Sequence, residues 1–206
     1  MLLEGKALQS MVDRVLSPRL VQYGMRNNGH YTWIGENLNS IRRVFEYVAL
    51  KGGQGTFRWG VCFDFIPTIY GSTLKYHRTE KTVVMHLFDW PEEYARSFFR
   101  GKIGTGMASH WEKDKPERSV GRLFDRCEKK MLDFYNETST IEKSLALTEF
   151  QIREQKSYSL HSPNPSYVLP FLLFKNGQTD KALLAWEQLP EMNQQLIEKI
   201  KKRILS

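Results

Sequence analysis

Read at period two, the stretch between Thr56 and Pro67 has one aromatic, apolar face and one mixed face. Phe57, Trp59, Val61, Phe63 and Phe65 share one face, and Arg58, Gly60, Cys62, Asp64 and Ile66 share the other. Period two with so aromatic a face predicts a β-strand buried on one side against a large cover, and helices are the expected cover. A second alternating stretch runs over 41–50, and Lys51-Gly52-Gly53-Gln54-Gly55 between the two is a glycine-rich hairpin connection. Asn27-Asn28-Gly29 is a turn leading into a short strand at 31–34, and 36–40 has polar turn chemistry. Pro67 has no N–H to donate and ends the aromatic strand; Tyr70-Gly71-Ser72 then turns the chain into strands at 73–78 and 82–88. Together these make a five-stranded antiparallel meander.

Helical spacing frames the strands. Leu8, Met11, Val12, Val15, Leu16 and Leu20 form one apolar stripe in a helix over 4–23, and Gly24 suits its left-handed C-terminal cap. Asp89-Trp90-Pro91-Glu92 and Asp114-Lys115-Pro116-Glu117 repeat one helix-opening pattern: a capping carboxylate, a first-turn proline and a glutamate. The first predicts a helix through Arg100 stopped by Gly101. The second predicts a helix to about residue 135 with Val120, Leu123, Phe124, Cys127, Met131 and Phe134 inward. Ser139 with Glu142 resembles a capping box for the next helix. Ser162-Pro163-Asn164-Pro165 marks a boundary between an α+β domain over 1–160 and a helical extension over 165–206, with helices at 166–175, 180–189 and 191–205 packed on the domain. The expected fold is therefore α+β: one antiparallel five-stranded meander, helices packed on one face, and a C-terminal helical cap.

A chain of 206 residues fits one domain, or one with a small appendage. No apolar run approaches the about 18–20 residues that cross a bilayer, so no membrane association is expected. Met1-Leu2-Leu3-Glu4-Gly5-Lys6 is charged too early for a secretory signal. Cys62 and Cys127 read as separate reduced thiols, which places the chain in a cytoplasm of bacterial type. The net charge of +7 admits a polyanionic partner, although acidic residues are interspersed through most of the chain.

Catalytic chemistry has little support in the spacing. His30, His77, His86, His110 and His161 are scattered, so no metal site and no cofactor are implied. Gly101-Lys102-Ile103-Gly104-Thr105-Gly106 lacks the Gly-Lys-Ser/Thr ending of a phosphate loop and follows a helix; the 101–113 loop reads as a plain linker or as a gate that orders on ligand binding. Cys127 lies on an apolar stripe, and Cys62 has no histidine near it in sequence. If helices cover the aromatic face, Glu46, Arg58, Asp64, Lys75, His77 and His86 share the opposite one. This is a candidate ligand-binding or acid–base surface, or else a solvated face laced with ion pairs. Arg42, Arg43, Lys75, Arg78 and Lys81, close to Tyr47, Trp59 and Tyr76, are the candidate nucleic-acid contacts. A nuclease built on Glu46 and Asp64 with Lys51 or Lys75 lacks the expected spacing. The basic end with Lys199, Lys201, Lys202 and Arg203 reads as the solvent face of an amphipathic helix.

The leading helix closes on Leu16-Ser17-Pro18-Arg19-Leu20-Val21-Gln22-Tyr23-Gly24-Met25, the aromatic strand Tyr31-Thr32-Trp33 follows, and a meander and a helix ending near Phe134 complete the order. In this pattern residues 1–150 resemble a bacterial family of uncharacterised domains, some of which lie beside toxin-immunity genes. That family commonly closes the leading helix on Gly-Phe, where Met25 stands here. The resemblance implies an α+β fold with a helix-covered sheet and carries no catalytic residues. Three functions are expected in order: a non-enzymatic interaction protein of a conflict or immunity-like system with a protein partner, a nucleic-acid-binding or nuclease-like protein using the basic polar sheet face, and a small-molecule enzyme on the Glu46, Asp64, His77 and His86 face.

Overall fold

The computed structural model describes residues 1–70, 73–95, 106–154, 161–189 and 194–205. Helix α1 (Gly5–Leu20) runs through Pro18, tightens into a 3₁₀ turn at Val21–Tyr23 and ends on Gly24 at φ +70°, a left-handed cap that glycine adopts without strain. Strands β1 (Arg26–Asn27), β2 (Thr32–Leu38), β3 (Ile41–Leu50) and β4 (Gln54–Phe63) then pair in sequence order. The β2–β3 connection is the two-residue turn Asn39-Ser40, with both φ values positive (+53° and +70°), the turn whose twist matches paired strands. β3 and β4 pair along their full ten-residue lengths, from Ile41 opposite Phe63 to Leu50 opposite Gln54.

The fifth strand of the sheet arrives after an excursion. β5 (Pro67–Tyr70) and β6 (Thr73–Tyr76) pair only with each other, as a separate two-stranded sheet. The stretch expected as a strand over 82–88 pairs with the main sheet only as β7 (Leu87–Asp89), which sets Phe88 against Gly60. The sheet order is β1-β2-β3-β4-β7. Part of the predicted 101–113 loop also belongs to the sheet. β8 (Ala108–Ser109) pairs with Gly55 and Gln54 at the other end of β4, and the Gly106 carbonyl accepts from the Thr56 hydroxyl at 2.7 Å. Residues 101–105 lie outside the described residues, as does the predicted helix beyond residue 95.

α2 (Pro116–Glu137) and α1 cover the aromatic face. Trp33, Phe45, Phe57, Trp59, Val61 and Phe63 from the sheet meet Leu16 and Leu20 of α1 and Val120, Phe124 and Met131 of α2, all at most 1 % exposed. The Tyr135 hydroxyl donates to the Val44 carbonyl at 2.9 Å, so α2 is pinned to the middle of β3 as well as packed on it. α2 starts differently from the expectation. Asp114 lies in a 3₁₀ turn, accepting from the Ser109 hydroxyl, and the residue preceding the helix is Lys115 at φ +52°. α3 (Ile141–Arg153) is capped by Thr140, one residue after the serine that was expected. α4 (Pro165–Lys175), capped by Asn164, is followed by α5 (Thr179–Glu187) and α6 (Gln194–Leu205). Val168, Phe171, Leu172, Trp186 and Ile200 of these helices join the core that contains the sheet's aromatic face. Among the described residues no helix is long and apolar enough to cross a membrane.

Gly60 reports on how closely β7 approaches. A Cβ there would stand 2.3 Å from the Leu87 carbonyl oxygen and 2.7 Å from Phe88 Cβ. Gly60→Ala therefore displaces β7 or strains β4, and it should cost about 1–3 kcal/mol in chemical denaturation, with the greatest loss of amide-exchange protection at β7.

Candidate functional site

The six residues expected to share the polar sheet face are divided among three settings. Glu46 and Arg58 stand directly opposite each other in the β3–β4 register, and the guanidinium holds the carboxylate through Nε at 3.0 Å and through Nη2. Asp64 lies just past β4, where its carboxylate accepts from Asn37 Nδ2 at 3.2 Å and its N–H donates to the Ser40 carbonyl. Lys75 is exposed on β6, away from the main sheet. His77 and His86 follow and precede strands, respectively, and come together with ring centroids 5.8 Å apart. His77 is fixed at both nitrogens, Nδ1 donating to the Thr82 carbonyl and Nε2 accepting from the Thr68 hydroxyl. His86 accepts from the Phe63 N–H at 2.9 Å; its buried Nε2 has no partner.

The six groups are not brought together into one cluster. Burial lowers the pKa of His77, with a smaller push from Lys75, and burial takes His86 to about 3, with His77 adding to the shift. Both imidazoles are neutral at neutral pH. Ile34, Val44, Cys62, Met85 and Phe88 form a second, smaller apolar cluster on this face, so it is neither solvated nor open. Glu46 and Asp64, the nuclease candidates, are held apart by their own partners. Among the described residues no group of three or more His, Cys, Asp or Glu side chains could hold a metal ion.

The predicted nucleic-acid residues are likewise dispersed. Successive residues of a strand point to opposite faces. Arg42 is accordingly buried opposite Cys62, 7 % exposed, with Nε and Nη1 lacking partners, while Arg43 emerges on the helix-covered side over the Tyr135 ring. Lys75, Arg78 and Lys81 are exposed along the β6 arm and the turn after it. Tyr47 and Trp59 are core residues, 3 % and 1 % exposed, and so give no stacking platform.

Two openings escaped the sequence reading. The first is a cleft of about 730 Å³ beside the N-terminal half of α2. Lys113, Lys115, Arg118, Arg122 and Arg126 line it, and none of the five makes an ion pair among the described residues. Its carboxylates are engaged elsewhere: Asp125 pairs with Arg19, and Asp114 accepts from Ser109 Oγ at 2.6 Å. The Arg118, Arg122, Arg126 spacing of four was visible in the sequence, but that helix was read only for its apolar stripe. The second is a pocket of about 340 Å³ at the other end of α2, containing Arg43.

Arg58 also supports a stack on the second sheet face. Its guanidinium lies 4.9 Å from the Phe88 ring centroid and 5.5 Å from that of Trp90, and the His161 ring stacks on Phe88 at 3.9 Å. Burial, reinforced by the Arg58 charge, lowers the His161 pKa from 6.5 to about 4. Below pH 6.5 the unfolded chain takes up a proton that the folded chain refuses until about pH 4, so stability falls as the pH drops through that window. Asp89, raised to about 6 by burial, works in the opposite sense. His161→Phe keeps the ring stack and removes this titration. Its loss of stability between pH 7 and pH 5 should be smaller than the parent's by about 2 kcal/mol, read from denaturation midpoints at the two pH values, and Asp89 cancels in the difference.

Burial also raises both thiols, Cys62 to about 11 and Cys127 to about 12. Neither should react with Ellman's reagent in the native protein, and both should react in guanidinium. No protein-family model matches this chain, and neither a curated protein nor a solved structure matches it.

Proposed function

We propose that this protein is a non-catalytic binding protein and that its partner is a nucleic acid, held by its phosphate backbone along α2. The observation that carries the reading is the cleft of about 730 Å³ in which five cations stand against two carboxylates, Asp114 and Asp125, the second already paired with Arg19. An arginine every fourth residue repeats at about 6 Å along the helix axis, and each planar guanidinium offers a fork of donors to phosphate oxygens. The N-terminal end of α2 adds the positive end of its dipole beside Lys115 and Arg118. Among the described residues no aromatic side chain lines the cleft, and Met107 is the one apolar residue there. The described lining therefore offers phosphate-binding cations in place of an apolar anchor or a stacking ring, which favours sequence-independent backbone contact. The inert thiols and neutral buried imidazoles support binding without turnover.

A second reading keeps the interaction protein of a conflict or immunity-like system, with a protein partner. It draws on Phe150, 43 % exposed beside Leu147 in a groove of about 400 Å³ between the end of α2 and α3.

The expected result is salt-dependent binding of a duplex DNA probe. The double variant Arg118→Gln, Arg122→Gln should weaken it and make the slope of log affinity against log salt shallower by about two, because each phosphate contact contributes about −0.9. Both side chains are exposed, so far-ultraviolet dichroism and the denaturation midpoint should not move. An unchanged slope, or no binding at low salt, refutes the nucleic-acid reading.

A further inference from the structure

A separate site lies at the opposite end of α2. Strand β2 is irregular where it passes Arg43: Ile34 pairs with Val44 and Asn37 with Arg42, so Gly35 and Glu36 together face the single residue Arg43. This bulge opens the sheet, and such bulges commonly re-aim a side chain beside a functional site. Gly35 puts no side chain into the space, and neither does Gly24, the glycine that ends the first helical segment. The result is a pocket of about 340 Å³ walled by Tyr23, Leu38, Ile41 and Val61 and closed at the back by Tyr135. That volume falls in the range of small-molecule sites.

Arg43 is the charged group in this pocket that lacks a reason to be there. It is half-buried, its guanidinium lies 5.4 Å from the Tyr135 ring centroid, and it makes no hydrogen bond or ion pair among the described residues. The neighbouring hydroxyls are all committed as donors. Tyr135 donates to the Val44 carbonyl, Tyr23 to Glu128 at 2.7 Å, Thr138 to the Phe134 carbonyl and Ser139 to the Asn136 carbonyl. The Phe134 and Asn136 carbonyls at the end of α2 are thereby satisfied without Arg43, and Lys143 also reaches the Asn136 carbonyl. Rim residue Glu36 is exposed and does not bond Arg43. A guanidinium fixed over an aromatic ring with its donors unused is suited to a planar bidentate acceptor.

We propose that this pocket binds a small carboxylic acid with an apolar body, its carboxylate on Arg43 and its body against Tyr23, Leu38, Ile41 and Val61. A monoanion matches the single cation. A phosphate dianion would carry two negative charges against one positive and would face Glu36 as well. Arg43 thus serves a small ligand in place of the nucleic acid to which the sequence assigned it, and the site is independent of the cleft along α2.

The test uses the full chain and two carboxylate probes, benzoate and hexanoate, with benzamide as the neutral isostere of benzoate, followed by nuclear magnetic resonance titration. Benzoate or hexanoate should shift the amide resonances of Gly24, Gly35 and Arg43, and benzamide should bind at least tenfold more weakly than benzoate, an estimate of about tenfold to a hundredfold for losing a charged hydrogen-bonded pair. Arg43→Met keeps the stem against Tyr135 and should weaken carboxylate binding by a similar factor. Glu36→Gln alters only an exposed rim residue, so it folds, and by removing a like charge it should leave carboxylate binding unchanged or tighter. Arg118→Gln with Arg122→Gln should leave it unchanged, which separates this site from the nucleic-acid reading. The proposal is overturned if neither carboxylate perturbs these resonances, if benzamide binds as tightly as benzoate, or if Glu36→Gln weakens carboxylate binding.

Discussion

Phe124 joins the two long strands to the two helices that cover them. Its ring stands edge-on to Phe45 of β3 at 5.9 Å and to Phe57 of β4 at 6.1 Å, and those two rings meet each other at 5.1 Å. Offset and edge-to-face rings contribute beyond the area they bury, and all three side chains are fully enclosed. On the outer side the guanidinium of Arg19, from α1, lies 5.4 Å from the Phe124 centroid and pairs with Asp125. One residue on α2 thus fixes the helix to the sheet and, through Arg19, fixes α1 to α2.

That arrangement has an electrostatic consequence at the surface. Asp125 points into the basic cleft but is engaged by Arg19, a residue required by the packing beneath. Asp114 is drawn off by Ser109 at the edge where β8 joins β4. Neither carboxylate forms an ion pair with Arg118, Arg122 or Arg126, and the cleft keeps more cations than carboxylates. The same helix sets the other pocket. Pinning Tyr135 to the Val44 carbonyl places its ring under Arg43, and the β2 bulge leaves that guanidinium uncovered. The two ends of α2 therefore present two different binding chemistries: an extended array of forks at the first, and a single fork above an apolar floor at the second.

The core was readable where burial and backbone period coincide. The strand expected over 41–50 has the bounds of β3, and Phe57, Trp59, Val61 and Phe63 face inward as their parity demands. The opposite face was misjudged because its cover was not foreseen. Met85, Phe88 and Trp90 reach it from in and around the short strand β7; the stretch over 82–88 was expected as a strand, but spacing alone does not show that its apolar residues cover Cys62 and Val44. His77 and His86 were expected near each other and do meet, but in a buried contact that suppresses their titration. Asp114 shows the limit of a capping signature. Asp-x-Pro-Glu starts α2 where expected, yet the carboxylate bonds Ser109, a partner that sequence distance alone does not reveal.

The two surface sites were hidden for a different reason: each depends on what its charged groups fail to meet. A sequence shows that Arg118, Arg122 and Arg126 share a helix face, but an arginine becomes a binding group only when nearby carboxylates are occupied, and occupancy is a property of the packed chain. Arg42 and Arg43 make the point within a single dipeptide. As sequence they are one basic pair. The pleat sends the first into a closed apolar face, where two of its nitrogens go unpartnered, and the second into an open pocket over a tyrosine. The buried member is inaccessible to any partner, so its charge is a cost to the fold, whereas the same charge on the opposite face of the strand, in contact with solvent, is available to a ligand. Function in this chain is therefore better sought where a cation is both fixed and reachable than where cations are merely numerous.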